Sequence, residues 1–176
     1  YSFGTLLNGS YTVTPTSAGF AFTPASRSVT LTTSSASAQD FTGVAAPTTT
    51  YTNDPNPDLP ITDFQITTST IVVPAGAGTV QDVNVFVNLT HTYIGDLFIL
   101  VRSPSGTSVI FHNQTGGSTH NLVTWYDTQT APAQSLSAFV GQAASGTWTL
   151  TVEDRAAYDI GTLNEWRLEI QATGAA

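Results

Sequence analysis

The sequence contains no cysteine, no methionine and no lysine. The first absence excludes disulfides, thiol catalysis and cysteine-based zinc sites. Together with the second, it leaves no sulfur to oxidise, which suits exposure to oxidants without assigning a compartment. The third leaves Arg27, Arg102, Arg155 and Arg167 as the whole basic complement against 12 acidic residues, for a net charge of −8. Without a basic stripe the chain cannot neutralise phosphates, so nucleic acid is excluded as a partner, and an anionic bilayer repels it. Long apolar runs are missing too: no stretch approaches the ~18–20 residues of a membrane helix, and no signal-peptide pattern is present. Charge of either sign is scarce, at 9% of residues, so the solvated faces must be built from Thr, Ser, Asn and Gln. Such a β-branched composition favours pleated sheet over long helices.

What is present falls into two blocks. Residues 1–44 alternate aromatic or branched residues with small polar ones: Tyr11 and Val13 share one face, Thr12 and Thr14 the other. With turn signals at Asn8-Gly9 and Ala18-Gly19 and a last strand at Phe41, this block reads as about three or four short strands. Residues 45–60, AAPTTTYTNDPNPDLP, hold four of the nine prolines and read as an extended linker. Residues 61–176 alternate clearly. Val83, Val85, Val87 and Leu89 share one face; Trp148, Leu150 and Val152 form a second such row, and Trp166, Leu168 and Ile170 a third. Leu97 to Val101 is apolar on both faces, as expected of a central strand covered on both sides, with Ser103-Pro104-Ser105-Gly106 as its closing turn. These rows predict an antiparallel β-sandwich of roughly eight strands. A short helix is expected only near Ser135 to Phe139.

Catalytic patterns are missing. His91, His112 and His120 form no H-E-x-x-H pair, no G-x-S-x-G elbow occurs, and Asp127-Thr128-Gln129 is not an Asp-Thr-Gly. The chain therefore reads as non-catalytic. His91 reads as a structural histidine hydrogen-bonded in a turn, and Trp148 and Trp166 as core. Trp125 and Tyr126 form a pair able to stack a sugar ring if exposed. The carboxylates carry more chemistry. Asp96 follows Gly95 at the entrance to the central strand, Asp154 and Asp159 bracket the loop EDRAAYDIG, and Asp127 lies in WYDT. Oxygen ligands drawn from several loops at one sandwich end suit calcium, so Asp96, Asp127, Asp154 and Asp159 are the candidate ligands. The alternative is that Asp96 caps its own turn and that Asp154 or Asp159 pairs with Arg155 or Arg102.

Three segments, HTYIGDLFILVRSPSGT (91–107), LSAFVGQAASGTWTLTVED (136–154) and DIGTLNEWRLEI (159–170), carry a resemblance. In order and spacing they resemble the P domain (Homo B domain) of proprotein convertases and bacterial subtilisin-like proteases, over about 110 residues. The resemblance implies a jelly-roll sandwich, itself non-catalytic, that follows and stabilises a protease domain with calcium nearby. It makes His91, Gly95, Trp148 and Trp166 motif positions. LLNGSYTVTPTSAGFAFTPASRSVTL resembles the C-terminal half of a carboxypeptidase-regulatory-like or bacterial Ig-like module whose first strands are absent. The fold expected is thus an all-β, jelly-roll-like antiparallel β-sandwich preceded by an incomplete small Ig-like module.

The function expected is that of a secreted or cell-surface accessory module from the C-terminal region of a larger bacterial protein, calcium-stabilised and without membrane insertion. Because the chain opens on Tyr1 rather than Met, a longer precursor is expected. Its upstream protease or another of its domains is then the expected partner. Two alternatives stand beside this: a subunit of an extracellular fibre whose residues 1–44 are completed by a strand from an identical neighbour, and a carbohydrate-binding or adhesive module.

Overall fold

The computed structural model describes residues 2–17, 19–33, 36–53 and 58–174. Tyr1, Ala18 of the expected turn, and the Asn-Pro centre of the expected linker at 54–57 lie outside the described residues. The chain divides into two compact units, Tyr1–Ala46 and Pro47–Ala176.

In unit 1, β1 (Gly9–Val13) pairs antiparallel with β3 (Arg27–Leu31), and β2 (Phe20–Thr23) with β4 (Thr42–Ala45). The alternation is real but shallow. Tyr11, Val13, Val29 and Leu31 share one face and are only half-buried. Among the described residues of this unit, Ala46 alone is buried.

Unit 2 is a two-layer antiparallel sandwich. One sheet runs β10 (Ser108–Asn113), β9 (Leu97–Arg102), β12 (Gly146–Asp154), β7 (Ile66–Val73). The other runs β11 (Leu122–Tyr126), β8 (Thr79–His91), β13 (Gly161–Thr173), β5 (Thr48–Thr52), and β6 (Leu59–Ile61) also lies on β13. The period-two rows face one another across the layers: Val83, Val85, Val87 and Leu89 from β8, Leu150 and Val152 from β12, Leu168 and Ile170 from β13. Burying a Val, Leu or Ile side chain contributes about 1.5–3 kcal/mol, so these rows are the main source of cohesion. Trp148 and Trp166 are fully buried and both find acceptors for their indole N–H: Nε1 of Trp148 donates to the Ala144 carbonyl (2.8 Å) and Nε1 of Trp166 to Ser69 Oγ (2.9 Å).

Three expectations are corrected. The segment read as linker is largely strand: Thr48–Thr52 and Leu59–Ile61 both pair with β13, and the unit boundary falls between Ala46 and Pro47. The threonines there are β-branched and pair along an edge, where neither apolar alternation nor an unbroken row of donors is required, so Pro60 is tolerated. The central strand β9 is fully buried at Leu97, Ile99 and Val101 but only half-buried at Phe98 and Leu100. Its outer face is roofed by a side chain rather than a layer: the Arg155 guanidinium lies 3.6 Å from the Phe98 ring centre. The short helix proves to be a single 3-10 turn, Leu136–Phe139, capped by Ser135 Oγ, which accepts the Ser137 N–H (3.2 Å). The SPSG turn closes as expected, with the Gly106 N–H donating to the Ser103 carbonyl (2.9 Å) and Gly106 at φ +91°. No helix among the described residues is long and apolar enough to cross a membrane.

Candidate functional site

The inward rows of β8 and β12 each end on a polar residue. In β8 the row Val83, Val85, Val87, Leu89 takes its next step at His91; in β12 Trp148, Leu150, Val152 is followed by Asp154. Strand periodicity therefore drives an imidazole and a carboxylate into one end of the core, from opposite sheets. They meet: His91 Nε2 lies 3.2 Å from Asp154 Oδ2, and both side chains are fully buried. The backbone N–H of Tyr93 donates to His91 Nδ1 (3.2 Å), which makes Nδ1 an acceptor and Nε2–H the donor to Asp154. The second carboxylate oxygen, Oδ1, accepts the Ala156 N–H (3.1 Å). Both oxygens of Asp154 are thus engaged in tying β8, β12 and the loop after β12 together.

Two glycines allow this end to close. A Cβ at Gly161 would lie 2.0 Å from the Thr90 carbonyl oxygen and 2.7 Å from His91 Cδ2, and one at Gly95 would lie 2.8 Å from Gly117 Cα. Gly95 belongs to the 3-10 turn Ile94–Asp96 and donates its N–H to the Gly117 carbonyl (3.0 Å). A second buried histidine braces the same turn: His112 Nε2 donates to the Ile94 carbonyl (2.9 Å), and Nδ1 accepts from the Tyr126 hydroxyl (2.9 Å). Burial lowers the pKa of His112 and raises that of the Tyr126 hydroxyl.

Around this frame stand three more carboxylates. Asp96 is half-buried at the end of its turn and takes no hydrogen bond on its side chain from the described residues. Burial, and then the carboxylates of Asp154 and Asp159, raise its pKa; His91 opposes the shift, and Asp63 adds to it. Asp159 Oδ1 accepts from Thr92 Oγ1. Asp63 Oδ2 accepts the Tyr158 N–H (2.9 Å), while its Oδ1 is buried with no hydrogen-bond partner. A buried carboxylate oxygen left without a donor costs about 1–3 kcal/mol or more, so Oδ1 is an acceptor short of a partner. As placed, no group of three or more His, Asp or Glu among the described residues stands close enough to hold an ion.

Of the residues singled out from the sequence, the fold brings His91, Gly95, Asp96, Asp154 and Asp159 to one end. Asp127 does not join them. Tyr126 pairs with Val85, six residues and about 20 Å along β8 from His91 at strand spacing, and Asp127 lies one step beyond it, on the side of Asp82. Nor do the arginines reach the aspartates: Arg155 pairs with Glu153 Oε2 (2.6 and 2.8 Å) and Arg102 Nε donates to the Gly106 carbonyl (3.4 Å). Asp96 caps no turn. Tyr126 cannot stack a ligand, because it is buried with its hydroxyl on His112; its neighbour Trp125 is half-buried, with Phe86 at 5.2 Å between ring centres. Asp63 was missed. It sits in the short turn between β6 and β7, and its signal was the register of β7 on β12, which sets Ile66 opposite Glu153.

The family description "Proprotein convertase P-domain" matches residues 80–170. The chain belongs to that family. The match covers β8 to β13, so the His91–Asp154 bridge and the Ile94–Asp96 turn both lie inside the P domain. Over 116 residues the chain is 34% identical to a calcium-dependent protease of Trichormus variabilis and 38% identical to leupeptin-inactivating enzyme 1 of Streptomyces exfoliatus. These stretches are 64% and 66% of this chain but 17% and 24% of the two relatives, so the P domain corresponds to a minor part of each. The crystal structure of a serine protease of Aeromonas sobria shares the fold, with a TM-score of 0.51 and 23% identity over 72% of this chain and 26% of that one.

Proposed function

We propose that the chain is a non-catalytic accessory module of a secreted bacterial protease, stabilised at its His91–Asp154 end by calcium. Membership of the P-domain family supports the accessory role, and the Lys-free, Thr-rich surface suits an extracellular setting. The calcium reading rests on one observation: Asp63 Oδ1 is buried without a partner, and the carboxylates of Asp63 and Asp159 both act electrostatically on Asp96. Hard oxygen donors from three loops fit calcium, and Asp63, Asp96 and Asp159 would hold it. A bound divalent cation supplies charge neutralisation and bridges the loops. Asp154, its two oxygens already engaged, positions the turn rather than ligating.

The test is thermal unfolding followed by tryptophan fluorescence, in chelator and in calcium. At a hundredfold excess over the dissociation constant, calcium would add about 2.7 kcal/mol. Asp63→Asn and Asp96→Asn should each abolish the gain. An unchanged midpoint in millimolar calcium would sink the metal reading while leaving the accessory role standing. That role is tested by deleting the module from its precursor: a protease that folds and persists equally well without it would refute it.

Unit 1 favours a second reading, assembly of identical subunits through residues 1–44. With Ala46 its only buried residue among those described, it lacks a core of its own.

A further inference from the structure

The two sheets of unit 2 end on β10 and β7, and on β11 and β5. Two of these edges are blunted by the chain itself. Along β10, the N–H groups of Ala133 and Gln134 donate to the Phe111 and Ile110 carbonyls (3.1 and 2.8 Å), and Gln134 Oε1 accepts the Ile110 N–H (2.9 Å). Along β11, the N–H groups of Gln129 and Thr130 both donate to the Trp125 carbonyl (3.0 Å), and Gln129 Oε1 accepts the Trp125 N–H (3.1 Å). β5 is only five residues long and exposes no large apolar side chain. β7 is the longest edge, with eight residues, and lacks any such cover. Apart from its ladder with β12, none of its main-chain groups bonds to a described residue. The hydrogen bonds of its side chains, Thr67 to the Pro60 carbonyl and Ser69 to Trp166, run to the opposite sheet.

Nor does β7 carry the devices that keep edges from pairing. Its sequence, ITTSTIVV, has no charge, no Pro and no Gly, and its register on β12 runs from Ile66 to Val73 without a bulge. In a chain of net charge −8, this edge is neutral. Its outward row is Ile66, Thr68, Thr70 and Val72, with Ile66 62% and Val72 69% exposed. The row is self-complementary. A two-fold axis at Ser69 sets Ile66 of one copy opposite Val72 of the other, and Thr68 opposite Thr70, twice each. Partners two, four or six positions apart keep outer side chains beside outer ones, and outward main-chain groups facing outward ones. Glu153, beside Ile66 on β12, then lies in line with Val72 and Thr147 of the second copy, so no carboxylate meets another.

We propose that β7 is an interface with a second copy of this chain, paired antiparallel to itself about Ser69. The main-chain ladder supplies attraction, and the Ile66–Val72 contacts supply the register. Because one surface pairs with itself, the contact is isologous and closes at the dimer. The inference uses no residue before Ile66 and stands apart from the assembly reading of residues 1–44.

The test uses the full chain, in sedimentation velocity over a range of concentrations and in cross-linking. The wild type should double in mass as concentration rises. A variant carrying Ile66→Glu and Val72→Glu should lose that association, and one carrying Ile66→Arg and Val72→Glu should keep it, since position 66 faces position 72. All three tryptophans lie in unit 2, so an unchanged fluorescence-detected midpoint shows that each variant keeps its sandwich. The chain has no cysteine of its own, and residues directly opposite in such a pair lie about 4.5–5.5 Å apart between Cα atoms, within disulfide reach. A mixture of Thr68→Cys and Thr70→Cys chains should therefore oxidise to a linked dimer, while each alone stays unlinked. A wild type that stays monomeric at every concentration overturns the proposal. Association of wild-type strength in the double-glutamate variant overturns β7 as the contact. A mixture that does not cross-link, or either cysteine variant cross-linking alone, overturns the pairing about Ser69.

Discussion

Replacing Asp154 tests the bridge that closes one end of the sandwich. In Asp154→Ala, the Nε2–H of His91 loses its acceptor inside the core and the N–H of half-buried Ala156 loses its acceptor at the core's edge. Each buried donor left unmade costs about 1–3 kcal/mol, which agrees with about 3–5 kcal/mol for removing one member of a buried pair. For a unit of this size, each kcal/mol moves the midpoint by about 3–5 °C, so the fall should be about 10–20 °C. Asp154→Asn should behave differently. The amide oxygen can keep the Ala156 N–H, while the amide NH2 meets His91 Nε2. His91 can answer by moving its proton to Nδ1, because the Tyr93 carbonyl stands 3.0 Å away to receive it. The loss is then the Tyr93 N–H bond and part of the ionic strength of the contact, about 1–2 kcal/mol. The assay is urea and thermal unfolding followed by near-UV circular dichroism. Equal losses in the two variants, or a fall of only a few degrees in Asp154→Ala, would refute the assigned tautomer and the closing role of the pair.

Other consequences follow from the same end and its core. Asp96 carries a raised pKa, so its ionised form works against the fold at neutral pH; Asp96→Asn should raise the midpoint in chelator, the opposite of its effect in calcium. His112 has a lowered pKa, so its contribution is complete above about 6.5, its usual value, and is lost as pH falls below that. The stability gap between wild type and His112→Gln should therefore narrow between neutral pH and pH ~5, as read from urea midpoints. A gap that widened over that interval would reverse the assignment. Gly161→Ala should cost at least about 1–3 kcal/mol, since its methyl meets backbone oxygen that cannot rotate away, with urea unfolding as the measure. Trp166→Phe leaves Ser69 without the indole N–H, and a loss of about 1–2 kcal/mol is expected in the same measurement.

The strands of unit 2 were legible wherever one face meets the core and the other meets water, as in β8, β12 and β13. There the alternation is a direct print of burial. It failed at β5, where Thr48 to Thr52 pair along an edge and only Tyr51 is half-buried, so nothing in the segment itself marks a face. The convergence of His91 and Asp154 was within reach: the same alternation carried one step further puts both side chains inward. So was the correction at Trp125 and Tyr126, since adjacent residues in a strand face opposite sides and only one of them can be exposed. Asp63 and Asp127 were not legible, because their neighbours are set by strand register between distant segments. The sandwich pairs Ile66 with Glu153 and Tyr126 with Val85, and neither pairing has a local signature.

The position of β13 has a consequence for biogenesis. It is the last strand of the described residues, yet it lies inside its sheet, with β8 along one side and β5 and β6 along the other. Thr48, near the start of unit 2, finds its partner at Gln171, near the end. Ribosomes deliver about 5–20 residues per second, and contacts this distant in sequence cannot form until both partners have emerged. β5, β6 and β8 must therefore wait, each without its β13 partner, for residues 161–173. A chain cut short before β13 lacks the strand that joins β8 to β5 and β6. The core of unit 2 closes only once β13 is seated between β8 and β5.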